Sequence, residues 1–179
     1  MLYYPEVPTN SRMFVAAPNS LDLPFENVYF KSLDNTKLHA YLVLQPQPQL
    51  CPTILFFHGN AGNIGHRLPN VKGMFQHLQA NIFLLQYRGY GLSEGTPSEA
   101  GIYKDAQAAL NYLHTRQDID RARIIVFGRS LGDFILNILL NWNSRGFLES
   151  SLSLSGWKWF TLGFFRMLFI VIFHVSMMF

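Results

Sequence analysis

Three short apolar runs constrain the fold of this chain more than any other feature. They are residues 53–57, 81–87 and 123–127, and none of them alternates between polar and apolar positions. Unbroken apolar runs of this length are typical of strands that are covered on both faces of a parallel sheet. The segments between them are long enough for helices. The sequence therefore predicts an α/β sheet with right-handed crossovers and with residues 123–127 at its centre.

The rest of the chain divides around these runs. Residues 27–32 and 38–44 are apolar segments separated by Asp34 and Asn35, which predicts an antiparallel hairpin that opens the mostly parallel sheet. Helices are predicted at residues 64–78, from the N-cap Ser98 to about residue 114, and at 131–142. The predicted organisation is an irregular, proline-rich lead-in over 1–26, the N-terminal part of a domain over 27–142, and a divergent apolar tail over 143–179.

The sequence Gly128-Arg129-Ser130-Leu131-Gly132 directly follows the third apolar run and directly precedes a predicted helix. A sharp strand-to-helix turn strains the serine and exposes its hydroxyl, while small residues at 128 and 132 let neighbouring backbone pass close by. The amide of Leu131 and the helix N-terminus would then face a developing oxyanion. The alternative is an N-cap serine between two glycines. The position after a buried strand favours Ser130 as a catalytic nucleophile.

A second glycine-rich loop, residues 58–65, also follows a strand and precedes a helix. Its glycine spacing faintly resembles a dinucleotide-binding loop, but such a loop needs an acidic residue after the next strand, where this chain has Gln86. We therefore expect no cofactor. The favoured interpretation is the loop after the third strand of a hydrolase, with the amide of Asn60 as the second oxyanion donor. His58 precedes Ser130, whereas the catalytic histidine of this fold follows the nucleophile, so His58 is expected to brace the loop.

The remaining potential sites carry weaker signals. Residues 87–95 form a glycine-rich loop without the Gly-Lys-Ser/Thr ending of a P-loop, so a structural turn is expected. The histidines on predicted helices have no carboxylate or cysteine partners at ligand spacing, and no metal site is predicted. The formal charge of +3 is not gathered into a basic stripe, which argues against a nucleic-acid partner. Cys51, the single cysteine, is interpreted as a small core residue.

Three of these segments, residues 58–67, 87–95 and 127–132, occur together and in this order in a known family. From about residue 2 to Gly132, the chain resembles the family of alpha/beta hydrolase domain-containing protein 13 with its fungal and plant relatives. The resemblance implies an α/β-hydrolase fold and a membrane-anchored serine hydrolase with a Ser–Asp–His triad. It also implies acyl ester or thioester substrates, either lipids or S-acylated proteins such as palmitoyl-proteins. Only Ser130, Leu131 and Asn60 carry over as active-site positions.

The chain departs from that family in ways that affect the expected activity. The family has an acidic residue where this chain has Gln86, and Asp133 replaces a small residue. Beyond Gly132, the later strands, the aspartate loop and the terminal histidine segment of the family are not found. His174 is the only histidine after Ser130. We therefore expect an incomplete, C-terminally truncated fold with weak or no activity, because a serine without a base is a poor nucleophile.

The apolar tail leaves two hypotheses open. Residues 159–179 are long enough to cross a bilayer core, although Arg166 near the middle opposes insertion. A tail that is apolar by accident, from an alternative exon or a shifted frame, is equally favoured. The first hypothesis predicts a membrane-associated, intracellular protein, and the N-terminus has no pattern of a signal peptide. A non-catalytic membrane-associated isoform or fragment is the alternative to an enzyme.

Overall fold

The computed structural model describes residues 3–132, 135 and 170–172. Its strands are β1 (Phe25–Lys31), β2 (Lys37–Val43), β3 (Thr53–Phe57), β4 (Asn81–Gln86), β5 (Ile124–Gly128) and β6 (Ile170–Ile172). Its helices are α1 (Leu68–Leu78) and α2 (Glu99–Thr115), with short 3-10 turns at Pro18–Leu21, Pro48–Leu50 and Ile64–Arg67.

The described strands form one sheet in the order β1-β2-β4-β3-β5-β6. β3 is parallel to both β4 and β5, whereas β1 and β2 form an antiparallel hairpin and β2 pairs antiparallel with β4. These pairings confirm the predicted α/β sheet and its hairpin. The predicted central position of residues 123–127 is wrong, because β3 lies between β4 and β5. Since β2 occupies the outer edge of β4, β5 pairs with the free edge of β3 instead.

Apolar side chains cover both faces of the sheet. Successive residues of a strand point to opposite faces. In β3, Leu55 and Phe57 join one buried cluster, whereas Phe56 joins the other. α1 contributes Leu68 and Val71 to the cluster around Phe56. α2 packs on the opposite cluster through one helix face: Ile102, Ala106, Ala109 and Leu113. The helices thus cover opposite faces, which explains why β3 is buried throughout.

Side chains cap the helices that follow β3 and β4. Ser98 is the N-cap of α2, as predicted, and its Oγ accepts a hydrogen bond from the Gly101 amide at 3.2 Å. The helix predicted at 64–78 begins as the 3-10 turn Ile64–Arg67 and continues as α1. Asn63 and His66 cap that turn reciprocally. The end of the loop after β3 is therefore fixed by its own side chains.

Most of the predicted tail lies outside the described residues. Ile170–Ile172 forms β6, which pairs antiparallel with β5. Of the helix predicted at 131–142, residues 131, 132 and 135 are described, and all three are helical. In the part of the chain that the structure describes, no helix has the length and apolar character needed to cross a membrane. The domain boundaries at residues 26 and 142 stay predictions.

Candidate active site

Ser130 lies at the turn between β5 and the helix that follows. β5 ends at Gly128, and Leu131 is already helical and buried. The backbone of Ser130 has a φ of 57°, in the left-handed region that residues other than glycine rarely adopt. The residue is exposed at the surface. An exposed serine held in a strained strand-to-helix turn has the geometry expected of a nucleophile elbow.

The turn packs tightly against the end of β3. The Arg129 amide donates to the Phe57 carbonyl oxygen at 3.2 Å, and the Gly132 amide donates to the Arg129 carbonyl oxygen at 3.0 Å. A Cβ atom on Gly132 would lie 2.9 Å from the Phe57 carbonyl carbon and closer still to its oxygen. Gly128 is buried opposite Phe57 in the register of β3 and β5. Position 132 therefore needs glycine, as the sequence suggests.

The loop after β3 approaches the same turn. A Cβ atom on Gly59 would lie 3.9 Å from the Ser130 Cβ and 3.6 Å from the Arg129 carbonyl oxygen. Asn60 follows Gly59, so Asn60 and Leu131 both come shortly after the carboxyl ends of adjacent parallel strands, where sites of α/β sheets form. The assignment of their amides as oxyanion donors stays a prediction.

The side chain of Asn60 anchors this loop to residues that lie outside it. Its Oδ1 accepts hydrogen bonds from the Tyr90 hydroxyl at 2.7 Å and from the Tyr4 amide at 3.2 Å. Tyr4 also forms an isolated parallel bridge with Ala61. The backbone of Asn60 is therefore held between the lead-in segment and the loop after β4.

The lead-in segment packs on the loop after β3 along much of its length. The Asn63 Nδ2 donates to the carbonyl oxygens of Ser11 at 2.7 Å and of Phe14 at 2.8 Å. A Cβ atom on Gly65 would lie 3.0 Å from the Ala16 carbonyl oxygen. The sequence did not indicate these contacts, because an asparagine carries no local signal for a partner about fifty residues away. The irregular lead-in thus supports the site.

His58 is buried beneath the loop. Its Nδ1 lies 2.7 Å from the Gly59 carbonyl oxygen and its Nε2 lies 3.1 Å from the Gln86 Nε2. A neutral ring protonated on Nδ1 satisfies both contacts, since it donates to the carbonyl and accepts from the amide. The ring stacks on Tyr87 with centroids 4.3 Å apart. Burial lowers the pKa of His58 to about 3, so the ring is neutral at pH 7. These contacts support the predicted bracing role.

Gln86 has a role that the sequence did not reveal. Its Oε1 accepts a hydrogen bond from the Ile64 amide at 2.9 Å, while its Nε2 faces His58. One neutral amide therefore links both ends of the loop after β3. A carboxylate here would require a proton on the His58 Nε2 and would make the ring a cation. The usable signal is a polar residue inside an apolar strand, because buried polar groups are hydrogen-bonded.

The glycine-rich loop 87–95 is held by a buried arginine. Arg88 pairs with Asp105 at 2.7 Å and with Asp34 at 2.8 Å, and it also donates to the Ser32 hydroxyl. Its guanidinium is thereby occupied by protein partners, which supports the predicted structural turn. The described residues include no group of three or more His, Cys, Asp or Glu side chains that could hold a metal ion.

The chain is similar to several α/β hydrolase domain-containing proteins. It is 49% identical over 139 residues to WAV2 from Arabidopsis thaliana, which covers 78% of this chain and 45% of that protein. It is 42% identical over 133 residues to bem46 from Schizosaccharomyces pombe, covering 73% and 44%. It is 33% identical over 131 residues to the uncharacterized membrane protein YNL320W from Saccharomyces cerevisiae, covering 73% and 45%. The chain spans less than half the length of these relatives. A comparison with protein-family models gives no match.

The fold is similar to that of solved hydrolases. The Pyrococcus furiosus esterase Pf2001 superposes with a TM-score of 0.62 at 21% identity, over 75% of this chain and 49% of that one. An α/β hydrolase from Vibrio vulnificus gives a TM-score of 0.62 at 26% identity, over 76% and 49%. The matched part of this chain therefore corresponds to about half of a solved hydrolase.

Proposed function

Because the chain belongs to the α/β-hydrolase superfamily, as a relative of the α/β hydrolase domain-containing proteins, we propose that it is a serine hydrolase of acyl esters or thioesters with Ser130 as its nucleophile. One observation carries this proposal. Ser130 is exposed at a strand-to-helix turn with a φ of 57°. An N-cap serine has an extended backbone, so the left-handed conformation argues against the alternative role of a simple cap.

In the proposed reaction, the Ser130 Oγ attacks the carbonyl carbon of the acyl substrate. The carbonyl oxygen becomes an oxyanion, and the amides of Leu131 and Asn60 donate hydrogen bonds to it. The tetrahedral intermediate then breaks its bond to the leaving group, which takes up the proton lost by the Ser130 hydroxyl and departs as the alcohol or thiol, and the acyl group stays on Ser130. Water attacks this acyl-enzyme and releases the acid. The approach of Gly59 to Ser130 supports the pairing of the two donors.

The proposed chemistry needs a general base. A serine hydroxyl is activated by a neighbouring base, usually a histidine. Both ring nitrogens of His58 have partners in the protein, and burial keeps its pKa near 3. His174, the only histidine after Ser130, lies outside the described residues. We therefore expect residues 1–179 alone to give weak turnover or none, with residual acceleration from oxyanion donors and binding.

The test asks whether Ser130 is activated. Residues 1–179 and the Ser130→Ala variant are treated with a fluorophosphonate probe and with p-nitrophenyl and thioester acyl substrates. We expect slow labelling that Ser130→Ala abolishes, and turnover close to that of the variant. A folded chain that is never labelled at Ser130 would contradict the proposed nucleophile. Fast labelling lost in His174→Ala would contradict the expected inactivity. Loss of that labelling in a folded His58→Ala variant would assign the role of the base to His58.

We also propose that the protein is membrane-associated and intracellular and that its acyl substrate is a lipid or an S-acylated protein. The name of the yeast relative and the apolar sequence of residues 159–179 support this proposal. Fractionation of cells that express residues 1–179 or 1–158 is the test. The longer chain should stay with membranes after carbonate washing, and the shorter one should be released. Equal release of both chains from the membranes would contradict the proposal that the tail is a membrane anchor. Membrane retention without any labelling at Ser130 would favour a non-catalytic form.

A further inference from the structure

Two arginines flank the site without a carboxylate partner among the described residues. Arg129 precedes Ser130 and is exposed, whereas Arg67 ends the 3-10 turn after the β3 loop and is half-buried. An Arg67 Nη2 donor bonds the Ala61 carbonyl oxygen, which ties this guanidinium to the loop that carries Asn60. The buried Arg67 Nε has no hydrogen-bond partner within the described ranges. A buried donor of this kind costs free energy unless a ligand or water accepts from it.

Both arginines belong to the contact between the loop after β3 and the turn of Ser130, because Arg67 is bonded to Ala61 of that loop and a Cβ atom on Gly59 would lie 3.6 Å from the Arg129 carbonyl oxygen. Burial, and then the charge of Arg129, lower the pKa of Arg67 from its ordinary value. The charge of Arg67 also adds to the larger effect of burial in lowering the pKa of His58. Asp133, the nearest acid to Arg129 in the sequence, lies outside the described residues. Positive charges that border the same site raise the local potential and attract an anion.

Three of the other arginines of the described chain are neutralised by carboxylates. The ion pairs are Arg88 with Asp34 and Asp105, Arg116 with Glu26 and Asp118, and Arg123 with Asp120. Arg12 and Arg121, like Arg67 and Arg129, have no carboxylate partner among the described residues, and they donate to backbone carbonyl oxygens. Arg67 and Arg129 are distinguished by their place, since Arg67 is bonded to the loop after β3 and Arg129 directly precedes Ser130.

We propose that Arg67 and Arg129 form an anion subsite that binds a phosphate group of the substrate. The inference rests on the proposed hydrolase function and narrows its substrates to phosphate-bearing acyl esters or thioesters. Guanidinium donors match phosphate oxygens in charge and geometry, and a phosphate oxygen would accept from the Arg67 Nε. A phosphate fixed beside Ser130 would also hold the acyl carbonyl close to the nucleophile.

The test measures binding, so it does not depend on turnover. Calorimetric titrations with hexyl phosphate and with hexanol are run on residues 1–179 and on the variants Ser130→Ala, Arg129→Gln and Arg121→Gln. Arg121→Gln is the matched control, because Arg121 is also exposed but precedes β5 at the opposite end of the strand. Arg129 is exposed, so its substitution should leave the fold intact, and urea midpoints verify this.

We expect hexyl phosphate to bind more tightly than hexanol and Arg129→Gln to weaken its binding about tenfold, the usual scale for one charge-assisted hydrogen bond. Binding should also weaken with added salt. Arg121→Gln and Ser130→Ala should bind as the parent does. Equal binding of the two ligands, or an equal loss in Arg129→Gln and Arg121→Gln, would overturn the subsite. If hexyl phosphate binding depends on Arg129 but the fluorophosphonate probe does not label Ser130, the anion subsite is supported and the hydrolase proposal is contradicted.

Competition distinguishes the two chemical sources of such a phosphate. A phospholipid head group and a soluble phosphate-bearing thioester share the same anionic chemistry. Competition of a lysophospholipid against hexyl phosphate would assign the first source, and competition of a short-chain acyl coenzyme A would assign the second. If neither competes while hexyl phosphate binds, the substrate assignment is wrong.

Discussion

Replacing Gly132 with alanine is expected to disrupt the contact between the nucleophile turn and β3. The new Cβ would lie 2.9 Å from the Phe57 carbonyl carbon and 3.0 Å from the Phe57 Cβ. Non-bonded carbon atoms prefer a separation of about 3.5–4.0 Å. Phe57 has little room to retreat, because it pairs with Leu85 of β4 on one side and with Gly128 of β5 on the other. The turn that carries Ser130 must therefore move.

The cost follows from the usual range for overpacking in a tight interior. That range is about 1–3 kcal/mol, and we expect a loss of about 2 kcal/mol in the free energy of unfolding. With a urea m-value of about 2 kcal/mol/M, the midpoint should fall by about 1 M, measured by circular dichroism. Gly73→Ala in α1 is the matched control, since a Cβ there meets nothing within 4 Å. It should gain about 0.5–1 kcal/mol, because alanine is the better helix former.

Equal midpoints for Gly132→Ala and Gly73→Ala would refute the argument that backbone packing requires glycine at 132. Fluorophosphonate labelling of Ser130 provides a second measurement on the folded variant. Labelling should fall well below the parent rate, because the same displacement moves the nucleophile. A lowered midpoint with unchanged labelling would show that the turn accommodates the methyl group without moving Ser130, which contradicts the coupling argued from the contacts of Phe57.

Three further results are expected. Asp105→Ala should lower the free energy of unfolding by about 3–5 kcal/mol in urea titrations, because it leaves Arg88 buried with part of its charge unpaired; a loss below about 1 kcal/mol would contradict a buried pair. The free energy of unfolding should rise between pH 4 and pH 7. Burial lowers the folded-state pKa of His58 to about 3 and that of His39 to about 4, whereas the pKa of each is about 6.5 in the unfolded chain. The unfolded chain therefore binds more protons over this range, and the folded state gains stability as the pH rises. His58→Gln should flatten that rise in urea midpoints measured across the range, and an unchanged slope would show that His58 is not the group responsible. Ser98→Ala should cost about 1 kcal/mol by loss of the α2 cap, whereas Ser98→Thr should cost less.

The strands and the nucleophile turn were predictable because their signals are local. Thr53–Phe57 is buried throughout, which its unbroken apolar run predicts. The glycines on either side of Ser130 predict a turn that packs closely on neighbouring backbone, and Gly132 does pack against Phe57 in this way. Ser98 was predicted as a cap from its own position before a helical segment. In each case, the cause lies within a few residues of the effect.

The strand order and the support of the loop after β3 were not predictable in this way. The position of β5 depends on β2 already occupying the edge of β4, which is a competition between distant segments. Gln86, Tyr4 and Asn63 each act on a partner far away in the sequence, and a single sequence does not record which distant groups meet. Their polar atoms must be satisfied once buried, but many pairings would satisfy them equally.

The neutral Gln86 also bears on the charge of the site. The resembling family has an acidic residue at this position, and a carboxylate facing the Nε2 of His58 would require a doubly protonated ring, because Nδ1 already donates to Gly59. The ring charge and the carboxylate would then cancel. With Gln86, both groups are neutral, so the net charge in either case is set by Arg67 and Arg129. Glutamine in place of an acidic residue at position 86 therefore removes an ion pair from beneath the loop. It does not change the positive charge that Arg67 and Arg129 supply beside Ser130. The desolvation cost of a buried ion pair can exceed the attraction between its charges, and a neutral hydrogen-bonded pair avoids that cost. The substitution is thus compatible both with a stable loop and with an anion held at the two arginines.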